Sequence, residues 1–518
     1  MAAAGPAPGI EGAVEILPEG VLKHRAKAGV FFVGSWGAIN LLVGFFGNIA
    51  LARMLLPRDF GIVAIGATLL ILAGSVSDGG LAGGLIRRER APDRGQLRTA
   101  LGLQLTLTAV VAVAAASVGG LFGGSGLVVA LMMAALPIAA LQMPGRVMLS
   151  RGLRFRMLAT VDSCGVLAYY AWAISGVLGG LGVWALASAF VVRAFVAALG
   201  VIAVSGLGVL LPSYRGAHAL RPVIRFGLRF QAVGLTVMAR DQGLNTGIAT
   251  IAGVTTLGLW SLARRLLELP LLMFEPLHRV SLPLMSQMLA ARRDPARLLG
   301  RGVAVAGTLS GVVLVSMAAA APELVPAVFG EQWRPVGGVV QWVCAAFLIT
   351  GPLSVVGVGY LYAVDAPSAV LRATILHTTA LFAVAFALLP VMGLTAVGIG
   401  AVVGATVEAA VVVRAIRERS TARPLAALIP TLAVAALAGV AGTAVTIGTA
   451  PGLLAGLAGG LTAAGIYVAL LMVFRRAVVT DTLQLVGDAV RSGLSREAPP
   501  AGTHEAGQRD AARPATAS

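Results

Sequence analysis

The sequence predicts an all-α, polytopic membrane protein of about fourteen transmembrane helices, set out as two six-helix lobes plus two C-terminal helices. Three observations carry this expectation. Of the 518 residues, 58% are apolar and 12% charged, with a mean hydropathy of +0.90, whereas a soluble chain is about half apolar and about a quarter charged. The apolar residues come in runs of about 20 or more, the length that crosses a hydrocarbon core. Arginine and lysine gather in alternate connections between those runs.

The runs fall at 29–55, 61–86, 99–122, 127–149, 157–179, 183–205, 227–251, 256–284, 303–321, 336–361, 368–391, 394–416, 425–447 and 452–474. They leave no room for an aqueous catalytic domain. The composition excludes a disordered chain. The two cysteines, Cys164 and Cys344, cannot make a disulfide framework and read as small buried hydrophobes.

A formal charge of +17 raises the question of nucleic acid. Its placement points to topology instead. The basic groups are Lys23, Arg25 and Lys27; Arg87, Arg88, Arg90, Arg94 and Arg98; Arg146, Arg151, Arg154 and Arg156; Arg215, Arg221, Arg225 and Arg229; Arg292, Arg293, Arg297 and Arg301; Arg414, Arg417, Arg419 and Arg423; and Arg475 with Arg476. The intervening connections hold only Arg53, Arg58 and Arg334. By the positive-inside rule both termini lie in the cytoplasm, which requires an even number of spans. A nucleic-acid footprint would instead be one clustered face.

Residues 1–22 read as a cytoplasmic segment without a signal peptide, since Pro6, Pro8, Pro18 and three glutamates precede any apolar core. At the other end, Val479, Leu483, Val486, Val490 and Leu494 recur at helical spacing within 477–496. They read as an amphipathic helix on the inner membrane face or packed on the bundle. Residues 497–518 are Ala/Pro/Gly-rich and polar, and 477–518 as a whole forms a cytoplasmic tail.

An internal echo suggests the lobes. Asn48 precedes Gly61 by the same interval that separates Asn245 from Gly258, and Gly180-Leu181 before the sixth span matches Gly393-Leu394 before the twelfth. The division is then 23–212, 213–420 and 421–476, and repeats of this kind place a substrate path between the halves.

Several segments resemble bacterial polysaccharide-unit (O-unit) flippases, the Wzx-type lipopolysaccharide biosynthesis branch of the multidrug/oligosaccharidyl-lipid/polysaccharide exporter superfamily. Leu51-Ala52-Arg53-Met54-Leu55-Leu56-Pro57-Arg58-Asp59-Phe60-Gly61 is similar to that family's first inter-helix turn. Arg225-Phe226-Gly227 through Arg240-Asp241, and Leu257-Gly258-Leu259-Trp260-Ser261-Leu262-Ala263-Arg264-Arg265, resemble its seventh and eighth spans, with Pro270, Arg279-Val280 and Pro283 following. Phe329-Gly330-Glu331-Gln332-Trp333-Arg334-Pro335 resembles the outer turn before the tenth span. One departure is Gln242 after Asp241, where Asn is expected.

The resemblance implies a flippase of the bacterial inner membrane. It would carry polyprenyl-pyrophosphate-linked oligosaccharides from the inner to the outer leaflet for export polysaccharide or lipopolysaccharide synthesis. Its partners would be membrane lipids, a glycan polymerase and a chain-length regulator. Flipping makes no covalent bond, and the sequence has no nucleotide-binding Gly-Lys-Ser/Thr loop, no His-Glu-x-x-His and no cysteine cluster. Neither an enzyme, a cofactor, a metal nor nucleic acid is expected.

Ionisable residues inside spans are the site candidates, because a charge at the bilayer centre is expensive. In the eighth span Arg264, Glu268, Glu275 and Arg279 share one face. Arg264–Glu268 and Glu275–Arg279 are spaced to pair, leaving Arg265 for a pyrophosphate, whose oxygens a guanidinium binds two at a time. The same set also reads as a salt-bridge ladder holding the halves together. Pro270 marks a gating bend or a packing kink. In the seventh span Arg240, Asp241 and Asn245 read as a pair facing the cavity, or as one buried against Arg264 or Glu268. Asn40, Gly44 and Asn48 read as a packing stripe or a cavity lining. Arg193 is a mid-span cavity charge. Asp78, Asp162, His377 and Glu408 stand isolated along the sequence. Trp333, in the outer turn, could stack on sugar or sit in the interfacial belt. The expectation is alternating access around a central cationic cavity where Arg240, Arg264 and Arg265 meet the pyrophosphate, with a cation- or proton-coupled drug or metabolite antiporter as the alternative.

Overall fold

The computed structural model describes residues 19–88, 90–215, 221–271 and 295–480, with Phe274, Ser281, 285–289, Ala291, Thr482 and Gln484 besides. Side chains of the first helix are described at Trp36 and from Ile39 onward. Among the described residues all regular structure is helical. The first half holds α1 (Glu19–Met54), α2 (Pro57–Asp78), α3 (Leu81–Arg87), α4 (Arg94–Gly119), α5 (Gly123–Met133), α6 (Ala135–Ala140), α7 (Met143–Arg151), α8 (Phe155–Leu178) and α9 (Val183–Ser205). Then come α10 (Arg221–Leu271), α11 (Ala296–Phe329), α12 (Arg334–Ala363), α13 (Pro367–Met392), α14 (Thr395–Arg417), α15 (Pro424–Gly448) and α16 (Leu453–Phe474). Eleven helical segments among the described residues are long and apolar enough to cross a membrane, with Ile39–Met54 a shorter apolar stretch. Large apolar side chains stand exposed along their flanks, among them Val110 and Val113 on α4, Leu437 and Val440 on α15, and Leu461 and Val473 on α16. In water such a surface would be a liability; in a bilayer it is the contact with lipid.

Two of the eleven segments hold an internal break. Gly253 in α10 has φ 83° and ψ 171°. Asp241 and Arg264 lie on either side of it and touch, although they are 23 residues apart, a distance of about 34 Å along a straight helix. The chain therefore folds back at Gly253, as the predicted boundary between 251 and 256 requires. The segment Arg94–Ala140 breaks at a 3-10 turn over Gly120–Phe122. The expected span at 127–149 is divided among α5, α6 and α7, where Pro137 and Pro144 each remove a helix hydrogen-bond donor.

Other boundaries differ from expectation for local reasons. The second span ends at Asp78 rather than 86, because Gly79 and Gly80 take left-handed φ values of 50° and 75°. The Asp78 carboxylate accepts from the Gly80 and Ala82 N–H groups there. The turn from α1 to α2 is set by Pro57 at the first helical position and by Asp59, whose carboxylate accepts from the Leu56 N–H. The connection between the runs 303–321 and 336–361 shrinks to Gly330 and a single 3-10 turn, Glu331–Trp333, because α11 continues through Pro322 and Pro326. The tail helix expected at 477–496 falls largely outside the described residues, as does 1–18.

The two hairpins α1–α2 and α10 meet through their turns. A Cβ on Gly61 would overlap the Val254 carbonyl oxygen, and a Cβ on Gly258 would overlap the Pro57 carbonyl oxygen. Each glycine thus admits the backbone four residues before the other one, a reciprocal, two-fold-like crossing that only glycine permits at such close approach. Around it α1 packs on α8, α8 on α9, and α13 on α14, while α15 and α16 lie against α11. The Gly253 end is fastened further. Arg53 donates to the carbonyls of Val328 and Ala327, both at 2.7 Å. Trp333 Nε1 and Gln332 Nε2 donate to the Ala52 carbonyl at 2.9 and 3.1 Å.

Candidate functional site

The arginines of the α10 hairpin face two different settings. Arg264 lies eleven residues past Gly253 and Asp241 twelve before it, so both sit about 16–18 Å from the turn, near the middle of a core about 30 Å thick. Asp241 holds both arginines on this face: Arg240 reaches Oδ1 at 2.9 Å and Arg264 reaches Oδ2 at 3.1 Å. The three side chains are 33%, 26% and 41% exposed for Arg240, Asp241 and Arg264. Charges at that depth persist only where they meet one another, protein or water. Asn245 continues the polar face, donating to Thr68 Oγ1 on α2 and to Gln242 Oε1, both at 3.2 Å. Gln242, the departure from the expected Asn, therefore orients Asn245 and is itself buried.

Arg265 turns away from this cluster. Its Nη1 donates to Asn48 Oδ1 on α1, and its guanidinium lies over the Phe60 ring, 5.8 Å from the centroid. Asn48 in turn donates to the Tyr170 hydroxyl at 3.2 Å. Tyr170 reaches α1 because a Cβ at Gly47 would overlap its ring. These groups line a cavity of about 520 Å³ walled by α1, α2, α8, α9 and the second arm of α10. Asn40, Gly44, Asn48, Tyr169, Tyr170, Phe190, Arg193, Arg265 and Glu268 are on its wall. The Asn40-Gly44-Asn48 stripe is thus both a packing seam and a lining. The stem of Arg193 lies over Gly165, and its side chain is exposed. Among the described residues neither Arg193 nor Glu268 makes an ion pair or a side-chain hydrogen bond.

This arrangement departs from the expected one in two ways. Arg240 and Arg264 are not on the lining of the cavity that holds Arg265. Arg264 pairs with Asp241 rather than with Glu268 one turn on, because folding at Gly253 brings a carboxylate across to it. Pro270 is buried next to the end of α10, where any bend it makes leads into residues outside the described set, and Glu275, Arg279, Pro276 and Pro283 lie there too.

Residues read as isolated also have partners across helices. Asp162 pairs with Arg146, and His377 Nδ1 lies 2.8 Å from Glu408 Oε2. Trp333 is fully buried and packs edge-on to Phe60 at 5.0 Å, so it ties α1 to the start of α12 and presents no platform for a sugar. Some of the basic residues expected to mark one side hold the backbone. Arg151 donates to the carbonyls of Leu85, Ile86 and Arg88, and Arg98 donates to that of Leu211. The aromatic lining, Tyr169, Tyr170 and Phe190, was missed from sequence, since aromatic residues in an apolar span carry no pattern that separates a cavity wall from a lipid face.

A family model described as polysaccharide biosynthesis protein matches residues 50–337, more than half of the chain. The chain belongs to this family. The matched region holds the α1–α2 turn, both arms of α10 and the Phe329–Pro335 turn. Within the polysaccharide biosynthesis family, the chain is similar to the lipopolysaccharide biosynthesis protein WzxC of Escherichia coli (strain K12), with 25% identity over 340 residues, 61% of this chain and 66% of that one. It thus spans about two thirds of the length of that relative. The fold is similar to that of the lipid II flippase MurJ, solved in an inward closed conformation, with a TM-score of 0.64 over 87% of this chain and 100% of that one at 11% identity. A multidrug resistance MATE family transporter in an inward-facing conformation is similar with a TM-score of 0.53, over 76% of this chain and 95% of that one at 16% identity.

Proposed function

We propose that the protein is a flippase that carries polyprenyl-pyrophosphate-linked oligosaccharides from the inner to the outer leaflet of a bacterial inner membrane, using two six-helix lobes in alternating access. The observation that carries the reading is the pair Arg193 and Arg265 on the wall of one mid-membrane cavity of about 520 Å³, with a single acid, Glu268, beside them. A pyrophosphate needs fixed positive charge and donors to leave water, and this wall offers two guanidiniums with asparagine and tyrosine donors between them. Arg240 and Arg264, locked on Asp241, add one net positive charge beside the cavity without offering a free fork. The reciprocal glycine crossing and the Arg53 and Trp333 bonds close the Gly253 end, which the placement of basic residues makes the outer one. The lipid tail stays in the bilayer, and the step forms no covalent bond.

Arg265→Ala should abolish glycan export and leave lipid-linked intermediates on the inner leaflet while membrane insertion stays normal. Arg265→Lys, a point charge without the fork, should export partially. Full export by Arg265→Ala removes this residue from the mechanism. A deletion strain with intact glycan and heightened drug sensitivity would instead favour the antiporter reading.

A further inference from the structure

We propose that Glu268, with the polar and aromatic side chains beside it, forms a sugar subsite that takes an uncharged sugar joined directly to the pyrophosphate and rejects one bearing a carboxylate. It rests on the transport reading, in which Arg193 and Arg265 hold the pyrophosphate. Glu268 stands three residues past Arg265 on the same arm of α10 and on the wall of the same cavity. Residues so spaced are neighbours on a helix surface, with Cβ atoms about 5–6 Å apart. The lipid tail stays in the bilayer, so what lies next to the pyrophosphate within the cavity is the first sugar.

The fold leaves this carboxylate without a counter-charge. Arg264, four residues back and spaced to pair with it, is held by Asp241 at 3.1 Å across the hairpin. Arg265 is directed to Asn48 on α1 and Phe60 on α2. Glu268 is exposed, and among the described residues it makes no ion pair or hydrogen bond. A pyrophosphate diester carries one negative charge on each phosphate, so the ligand matches the two guanidiniums of the wall and Glu268 is left over. An ionised carboxylate accepts from O–H or N–H groups and has no proton to give. A neutral sugar brings hydroxyl donors to it. A uronic acid brings a second carboxylate, and like charges set side by side discriminate against that ligand.

The space beside Glu268 suits a ring. α1 ends, and the second arm of α10 begins, at the Gly253 end, so the two run in opposite directions where Asn48 meets Arg265. Away from that end Gly44 lies four residues from Asn48 and Glu268 three from Arg265, about 6 and about 4.5 Å along their helices. The two are therefore level, and the wall recedes at Gly44, which has no side chain. The Tyr170 hydroxyl borders the recess, 3.5 Å from where a Gly44 Cβ would lie. It accepts from Asn48 and so keeps its own proton to donate. Tyr170 and Phe190 are partly exposed and stand edge-on to the buried Tyr169, at 5.0 and 5.2 Å. Their rings give an apolar surface for the C–H groups of a pyranose, while the polar groups take its hydroxyls.

The test compares two probes that differ in one group: polyprenyl pyrophosphate carrying one glucose, and the same lipid carrying one glucuronic acid. Sugar-free polyprenyl pyrophosphate is the reference. Binding of each to the full chain in detergent micelles is measured by native mass spectrometry. The wild type should bind the glucosyl lipid about tenfold more tightly than the glucuronyl lipid, the size expected of two carboxylates a few ångström apart in a hydrated site. Glu268→Gln should cut that ratio to about threefold or less by tightening the glucuronyl lipid. Both probes carry the same pyrophosphate, so any general gain in anion binding cancels in the ratio. A wild type that binds both alike, or a ratio that survives in Glu268→Gln, overturns the subsite, while binding of the sugar-free lipid that is lost in Arg265→Ala leaves the transport reading standing. If the wild type binds none of the three lipids, both fall. If Glu268→Gln fails to fold, Glu268→Asp, whose shorter side chain withdraws the carboxylate, decides it: the ratio should fall, and an unchanged ratio overturns the subsite.

Discussion

The Asp241 cluster and the Arg193/Arg265 cavity have the same formal charge, two arginines and one acid, and the opposite arrangement. In the cluster the carboxylate lies between the guanidiniums and engages both through separate oxygens. In the cavity Glu268 shares the wall with Arg193 and Arg265 without an ion pair to either among the described residues. The first arrangement fixes the angle between the two arms of α10. The second leaves charge facing open volume. Net charge therefore says little about a membrane site; what matters is whether the counter-charge reaches the cation.

Three substitutions break or sharpen this contrast. Asp241→Asn should have the largest effect on the fold, because it leaves Arg240 and Arg264 side by side without a carboxylate. Losing one partner of a fully buried pair costs about 3–5 kcal/mol, and the partial exposure here lowers the expectation to about 2 kcal/mol; thermal unfolding in detergent measures it, and an unchanged transition would mean the cluster is solvated. Asn48→Asp gives the cavity the arrangement of the cluster by setting a carboxylate against Arg265. Export should fall about tenfold, about 1.4 kcal/mol in binding terms, with little change in unfolding, and unaltered export would show that Arg265 can carry a counter-charge without loss of function. Glu418→Gln, on the connection after α14, should do least. The Arg414 guanidinium holds the Glu418 carboxyl below the usual carboxylate range. Its stabilisation is thus present above the unfolded-state value and is lost as pH falls through the lowered one. Solvent screens so exposed a pair, so unfolding curves of this variant and the wild type should superimpose from neutral to acidic pH.

Much of the architecture was readable in the chain. Long apolar runs, proline at the starts of α2, α12, α13 and α15, and glycine at the turns are local signals, since each reflects what one helix needs in a bilayer. The Asn48–Gly61 and Asn245–Gly258 echo also carried real geometry, for its two glycines are the ones that cross. The Asp241–Arg264 pair was one of the readings the seventh span allowed, whereas His377–Glu408 escaped a reading along single helices. They become visible once each hairpin is folded at its glycine, because the partners lie almost equal distances on either side of Gly253 and Gly393.

The amino-acid order alone thus determined the class of the molecule, the approximate places where it enters and leaves the bilayer, and which charged residues are confined within it, since the cost of apolar exposure and of a buried charge is a property of each segment. Only the tertiary structure decided that Arg264 is held by Asp241 while its neighbour Arg265 faces a cavity, and that Trp333 is a buried tie. Adjacent residues on a helix point about 100° apart, and which neighbour each one meets depends on helices far away in sequence.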